Sequence, residues 1–296
     1  MEDRSVDTLI VGSGYAGLNA FYSLKGKALL VSNSKTFKFW TAELRKLVDP
    51  KLRSETELGF VETKSVKDLD FSSLTVRVDN GIIRAKSLVL SPGCVRPNLL
   101  RVLENARKSS DVSLGAQDQY DEYLILQLSF YLRKLGKNVK VYTSYLSWLG
   151  EPVENEVKRM LDEVGIGYTE NPEDVLDSCT PESPFEFYQA NQFLQTKDNV
   201  YVAGDIIRGW PKLGELAMRS GKYVGASING FSGSFKPIFI YILDNGKNIG
   251  LHIRSNIPWG GSYVTVRRSW VRSVFKRFIE RYYIWRKGNM GFLLKV

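Results

Sequence analysis

Histidine and cysteine are nearly missing from this chain of 296 residues, which holds one His and two Cys. His252 with Cys94 and Cys179, far apart in sequence, supplies neither a three- or four-ligand metal site nor a Ser-His-Asp hydrolytic triad. One possible bridge between distant cysteines is no disulfide framework, so the residues favour unpaired thiols in a reducing cytoplasm. No uncharged apolar run approaches the roughly 20 residues that cross a bilayer as a helix. The N-terminus enters a strand-like run by residue 7 with no charged leader, long apolar stretch or small-residue cleavage site. Neither an integral membrane helix nor export by a signal peptide is expected. With 43% hydrophobic and 25% charged residues, disorder, collagen and small disulfide scaffolds are excluded, and there is room for two modest domains.

The formal charge of +9 is unevenly placed. Between residues 264 and 288, Arg267, Arg268, Arg272, Lys276, Arg277, Arg281, Arg286 and Lys287 stand against the single acid Glu280, so this stretch carries most of the net charge. A nearly neutral body with one basic segment points to a local anionic contact rather than a globally basic, nucleic-acid-binding surface.

An apolar run at residues 7–11 feeds into Gly12-Ser13-Gly14-Tyr15-Ala16-Gly17, followed by a helix-compatible stretch over 18–25 and a second apolar strand over 28–31. This is a βαβ unit of about 25 residues carrying Gly-x-Gly-x-x-Gly. Gly12 permits the tight turn, Gly14 lets backbone N–H groups approach a pyrophosphate, Gly17 allows close helix–strand packing, and the helix N-terminus adds partial positive charge. A plain tight turn is the alternative, but the strand–turn–helix context predicts dinucleotide binding. The acid expected at the end of the second strand is absent. Ser32 stands there, followed by Asn33, and its hydroxyl is a weaker, uncharged partner for a ribose.

A second motif, Val200-Tyr201-Val202-Ala203-Gly204-Asp205, is a short strand ending in Gly-Asp, where a carboxylate suits the hydroxyls of a ribityl chain. Between the two, residues 85–90 form a third strand ending in Ser91-Pro92-Gly93. Three such strand ends, in this order, are what a two-part FAD domain needs if another domain interrupts its sheet.

The order of these motifs resembles the two-dinucleotide-binding-domain flavoproteins, with Ser-Pro-Gly where that superfamily usually has Ala-Thr-Gly. Residues 30–39, ending Phe37-Lys38-Phe39, look like the strand-Ser-x-x-x-x-Phe-x-Phe segment of sulfide:quinone oxidoreductases, which also tend to carry serine in place of the acid. Pro211-Lys212-Leu213-Gly214 is similar to their Pro-Lys-Thr-Gly, which brings a helix N-terminus toward the isoalloxazine ring. The tail from Ser269-Trp270 to Lys287-Gly288 looks like their C-terminal membrane-docking helices. Type II NADH:quinone oxidoreductases are the second resemblance. The likeness spans nearly the whole chain and is strongest at residues 7–40, 86–94 and 198–230.

That resemblance implies an α/β fold in which an FAD-binding Rossmann-like domain, residues 1–104 and 181–235, is interrupted by a reduced second dinucleotide-type domain over 105–180. A C-terminal strand region and amphipathic helix over 236–296 follow as the docking region. It implies FAD contacts at Gly12, Gly14, Tyr15, Ala16, Gly17, Ser32, Asn33, Val61, Pro92, Gly93, Gly204, Asp205, Lys212 and Leu213. Lys212 and the helix starting near Leu213 are the candidates for stabilising an anionic reduced flavin, and Cys94, directly after Gly93, is the candidate thiol beside it. No metal is implied.

Two family features are missing. Residues 111–170 read as a strand over 112–114, a helix over 119–135, a strand over 139–143, a helix over 154–164 and an extended end over 166–169. Their first turn, Gly115-Ala116-Gln117-Asp118-Gln119-Tyr120-Asp121, has lost two of three glycines, and Asp118 and Asp121 would repel a pyrophosphate. Ordinary NADH binding is disfavoured there. The cysteine pair of sulfide:quinone oxidoreductases is also absent, with no cysteine at 115–122 and Tyr241 where the second sulfur belongs.

On a helix over 269–287, Trp270, Val271, Val274, Phe275, Phe278, Ile279 and Tyr282 make one broad apolar face and Arg272, Lys276, Arg277, Glu280 and Arg281 fill the other. Basic residues beside Trp and Phe are the pattern of a helix lying in anionic headgroups. A core-packing helix with solvated charges is the alternative, and RNA binding has no accompanying motif. His252, on a strand over 249–253, reads as a surface or satisfied core residue. The chain therefore reads as a peripheral FAD-dependent oxidoreductase on the cytoplasmic side of the cell membrane, passing electrons to a quinone that enters between residues 235–241 and the last helix. The alternatives are a non-catalytic or electron-transfer FAD subunit docked to protein partners in a membrane assembly, and an NAD(P)H:quinone oxidoreductase.

Overall fold

The computed structural model describes residues 2–295. Its helices are α1 (Tyr15–Ser23), α2 (Trp40–Arg45), α3 (Leu99–Lys108), α4 (Glu122–Lys134), α5 (Glu151–Val164), α6 (Gly214–Ile228) and α7 (Trp270–Trp285). The central sheet runs in the order Gln195–Lys197, Val200–Val202, Gly81–Leu90, Glu2–Val11, Ala28–Ser32, Glu62–Thr63. Its four middle strands are parallel. Leu9, Ile10, Leu88, Val89 and Leu90 are fully buried, as continuous apolar strands covered on both faces must be. A hairpin of Val66–Asp70 and Thr75–Val78 pairs with the first half of Gly81–Leu90. Helix α1 lies against α6, with Ala16 and Ala20 facing Gly221 and Gly225, so the N-terminal and returning segments close into one layer.

The chain leaves this sheet after Gly93 and builds a second, all-parallel one in the order Gly167–Tyr168, Asn138–Val141, Asp111–Ala116, Asp174–Leu176. An antiparallel meander follows, Phe239–Asp244, Gly250–Ser255 and Val264–Ser269, which pairs Tyr241 with Ile253 and Ile242 with His252. Helix α7 packs on it and is capped by Ser269, whose hydroxyl accepts from the Arg272 N–H.

Three local expectations differ from what is found. The first helix starts at Tyr15 rather than 18, because it springs directly from the glycine turn. The helix expected over 119–135 is a 3₁₀ turn at Gln119–Asp121, capped by the Asp118 side chain, before α4 proper. The strand expected over 166–169 is only Gly167–Tyr168.

Two larger expectations are corrected. Cys94 and Cys179, read as separate, form a disulfide across 85 residues of sequence. The inserted segment starts and ends at one place. Val95 and Thr180 exchange backbone hydrogen bonds of 2.9 and 2.8 Å there, which sets the two cysteine Cα atoms 5.5 Å apart. Cys94 is thus not a free thiol, and the argument from unpaired cysteines to a reducing cytoplasm loses its premise.

The second correction concerns the C-terminal helix. Lys276 and Glu280, assigned to its solvated face, are 4% and 0% exposed, and Ser273 is buried with them. Trp270, Val271, Val274 and Phe278, with Trp285 beyond, point outward, Trp270 at 65% and Trp285 at 74% exposure. The inward stripe 273, 276, 280 meets Arg45 of α2 and Asp244, and only such pairing makes burial of these charges tolerable. No helix among the described residues is long and apolar enough to cross a membrane.

Candidate functional site

Parallel register brings four strand ends to one edge, since Val11 pairs with Val31 and Leu90, and Leu90 with Val202. The turns leaving them are residues 12–14, Ser32 with Asn33, residues 91–93 and residues 203–205. Gly12 adopts φ +101° and its N–H donates to Val31 O at 2.8 Å. A Cβ on Gly12 would lie 2.3 Å from Ser91 O, and one on Gly17 would lie 1.8 Å from Gly12 O. Gly14 faces open space, with nothing within 4 Å of its Cβ position, and no side chain caps α1 there. The first N–H groups of a helix lack intrahelical partners, so this turn is an electropositive cradle of backbone that could hold an anionic group.

Around the cradle stand the other residues singled out in the sequence. Tyr15 packs its ring on Phe37 and Phe39, at 5.4 and 5.7 Å between centroids, and its hydroxyl accepts from the Trp40 N–H at 2.8 Å. Ala16 is buried against Gly204. Ser32 is half-buried and accepts from the Ser34 N–H, while Asn33 is exposed. Val61, buried, precedes the short strand that pairs with the end of Ala28–Ser32. Pro92 and Gly93 are half-buried beside the cradle, and Cys94 next to them is tied to Cys179.

Asp205 follows Gly204 at the end of its strand. Burial raises its carboxyl pKa, against the opposing pull of the Lys212 and Arg96 cations. Lys212 is buried and donates to Ile207 O at 2.8 Å, with its ammonium 4.3 Å over the Phe187 ring. Burial pulls its pKa down and the Asp205 carboxylate pushes it back up. Leu213, also buried, precedes α6, whose N-terminus carries no side-chain cap.

A cavity of about 130 Å³ opens from these residues. Tyr15, Arg96, Asp205 and Lys212 form one wall, and Tyr241, Phe275, Lys276, Ile279 and Glu280 form the other. Of the segment 235–241 expected to line it, Ile240 and Tyr241 do so, whereas Phe235 stacks on Trp210 at 5.7 Å. His252, read as a surface or satisfied core residue, is buried on the same wall. Its pKa is pushed down to about 4 by burial and by Arg272, Arg254 and Arg267, so the ring is neutral.

Sequence reasoning missed Arg45, Arg96 and the inward role of Lys276 and Glu280. The spacing 273, 276, 280 on one side of a helix was a legible signal for the latter pair, because it is the i, i+3, i+7 stripe of a core-facing surface.

The second sheet treats its first turn differently. Asp118 accepts from the Tyr120 N–H at 2.9 Å, and Asp121, buried, pairs with Arg96. A Cβ on Gly115 would meet Pro172 at 2.8 Å, so side chains already fill that turn.

This chain order, with a parallel sheet split by a second α/β unit, is the fold of the two-dinucleotide-binding-domain flavoproteins. The structure is similar to the sulfide:quinone oxidoreductase of Aquifex aeolicus, with a TM-score of 0.76 and 17% identity over 96% of this chain and 92% of that one. The NADH:rubredoxin oxidoreductase of Clostridium acetobutylicum gives 0.61 and 16% over 84% and 82%. An NAD-dependent persulfide reductase from A. fulgidus gives 0.64 and 15% over 84% and 63%. No protein-family profile and no curated protein matches the sequence. At such identities the likeness shows the fold, that of FAD/NAD-type oxidoreductases.

Proposed function

We propose that the protein holds FAD along the strand-end edge and passes its electrons to a quinone-type acceptor in the cavity, while α7 rests on an anionic membrane surface. The observation that carries this reading is the cavity itself, one wall of which is Asp205 and Lys212 and the other an amphipathic helix with an outward apolar row. The glycine cradle and uncapped α1 terminus suit the pyrophosphate, and Asp205 suits the ribityl hydroxyls. Bound there, the flavin would supply hydride and single-electron chemistry. The chain's own part is to orient it, to place Lys212 and the α6 terminus as positive charge beside it, and to exclude water with Tyr15, Phe39 and Tyr283.

Trp270, Phe278 and Trp285 supply the apolar contact with lipid, and Arg272, Arg277, Arg281 and Arg286 the attraction to headgroups. A second reading, an FAD subunit without turnover of its own, draws on Tyr241 in place of a cysteine, the paired state of Cys94 and the filled turn of the second sheet.

The purified protein is expected to show a flavin spectrum. Adding NADH and sulfide separately without oxygen separates the readings, because bleaching by one names the donor and bleaching by neither favours the subunit. A colourless protein refutes both. Replacing Trp270, Phe278 and Trp285 with serine should weaken binding to anionic vesicles by about tenfold or more, and unchanged sedimentation with vesicles would move the contact elsewhere.

A further inference from the structure

The root of the inserted unit and the strand-end edge share one row of charges. Cys94 and Cys179 close the root, and the backbone pair of Val95 and Thr180 lies directly beyond them. Two residues past Cys94, Arg96 lines the same cavity wall as Asp205 and Lys212, with its side chain only 10% exposed. It is paired there with the buried Asp121, which ends the first turn of the second sheet. The Cys179 N–H lies close enough to the Asp121 carboxylate to help hold its charge. Both members of this ion pair are felt at the edge, since Arg96 lowers and Asp121 raises the pKa of Asp205 and of Lys212. Each sulfur thus sits next to one half of the pair, Cys94 by chain connection to Arg96 and Cys179 through its N–H to Asp121.

The two sulfurs differ in access. Cys179 is 5% exposed whereas Cys94 is half-buried, so an incoming thiolate reaches Cys94 first. The chain holds no other cysteine, and an external thiol can exchange with this bond alone.

We propose that Cys94 is a thiol-exchange site through which an external dithiol sets the position of Arg96 and so controls how tightly the strand-end edge holds its cofactor. The proposal rests on the flavin reading above and adds a means of regulating that same edge. One thiolate of the dithiol attacks Cys94 Sγ, the bond to Cys179 breaks, and Cys179 departs as a thiolate and takes up a proton. The second thiol then gives up its proton and attacks the mixed disulfide, which releases Cys94 as a thiolate to be protonated in turn. The cysteine pair gains two electrons and two protons, and the dithiol leaves as a disulfide. With the bond closed, the root is fixed at two points and Arg96 is held on Asp121. With it open, only the Val95–Thr180 backbone pair remains, and Arg96 and Asp121, tolerated in the interior as partners, lose their fixed place beside Asp205.

The test compares the oxidised full chain with the same protein treated with dithiothreitol, its thiols counted before and after. FAD affinity is read by titrating flavin-stripped protein, and hydrogen exchange is followed over residues 94–98 and 117–122. Reduction should expose both thiols, weaken FAD binding by about tenfold and speed exchange in both segments. Cys94→Ser with Cys179→Ser should reproduce that state without reductant. Arg96→Met with Asp121→Leu removes both charges together, so neither is left buried alone. This variant should begin with the weakened affinity and show no further change on reduction. Parent-like affinity and exchange after both thiols appear overturn the proposal, and so does a full response to reduction in the Arg96→Met, Asp121→Leu variant. Thiols that appear only in urea and never in the folded protein overturn it as well, because the bond is then closed to exchange. If neither form binds FAD, the flavin reading fails by itself. Faster exchange on reduction, absent from the charge-free variant, would then leave the thiol-controlled pair standing, and unchanged exchange would overturn it too.

Discussion

In the central sheet the first strand leads into a turn of bare backbone, where Gly14 faces open space and α1 begins with no side chain over its N–H groups. In the four-stranded sheet the first strand leads into a turn of the same topology that is closed on itself. Asp118 caps the first turn, Asp121 is consumed by Arg96, and Pro172 and Tyr142 occupy the space beside Gly115. One unit leaves its helix terminus without a side-chain partner and the other covers it with its own carboxylate. A parallel sheet with a crossover helix therefore does not by itself make a nucleotide site, and what fills the first turn decides.

The sharpest way to break this comparison is to add one methyl group to each turn. In Gly17→Ala the new Cβ meets a backbone oxygen of Gly12 that cannot move without moving the strand. A loss of more than about 5 kcal/mol, read as failure to fold or as loss of a cooperative melt, is expected. Gly115→Ala meets only the ring of Pro172 and the side chain of Tyr142, so a loss of about 1 kcal/mol in denaturant titration suffices. Equal losses would refute the contrast. Between these extremes lies the disulfide. Replacing Cys94 and Cys179 with serine opens a loop of 85 residues and should cost about 4 kcal/mol by chain entropy, felt first in hydrogen exchange of the four-stranded sheet. The smallest effects come from the carboxylates. Asp205→Ala should release flavin with little change in melting, whereas Asp118→Ala should leave flavin in place and cost about 1 kcal/mol as a lost cap. If flavin retention responds to Asp118 and not to Asp205, the assignment of the two edges is reversed.

Local signals carried much of this architecture. Residues 7–31 announce strand, glycine turn, helix and strand within a single stretch, and the order of the three strand ends implies the interruption between them. The inserted unit was legible for the same reason, since its strands and helices alternate over short spans. What escaped depends on contacts far apart in the chain. The Cys94–Cys179 bond exists because an insertion must return to where it left, a fact of topology that composition does not carry. The orientation of α7 was misread because both of its faces hold apolar and basic residues. Arg45, 235 residues from Glu280, and Asp244, 29 residues from Ser273 on a neighbouring strand, decide which polar groups turn inward. The burial of His252 agrees with the core alternative read for it, and its place on the cavity wall is fixed by its register opposite Ile242.

The bond between Cys94 and Cys179 also changes what it means to cut this molecule. Residues 94–179 form a covalent ring hung from a chain that continues on both sides, so a protease that nicks an exposed loop of the inserted unit produces no fragments. The two halves stay joined through sulfur, and α1 against α6 holds them in register. The nick would show as a change in mobility only after reduction, and the edge that faces the cavity would survive a break in the backbone between its parts.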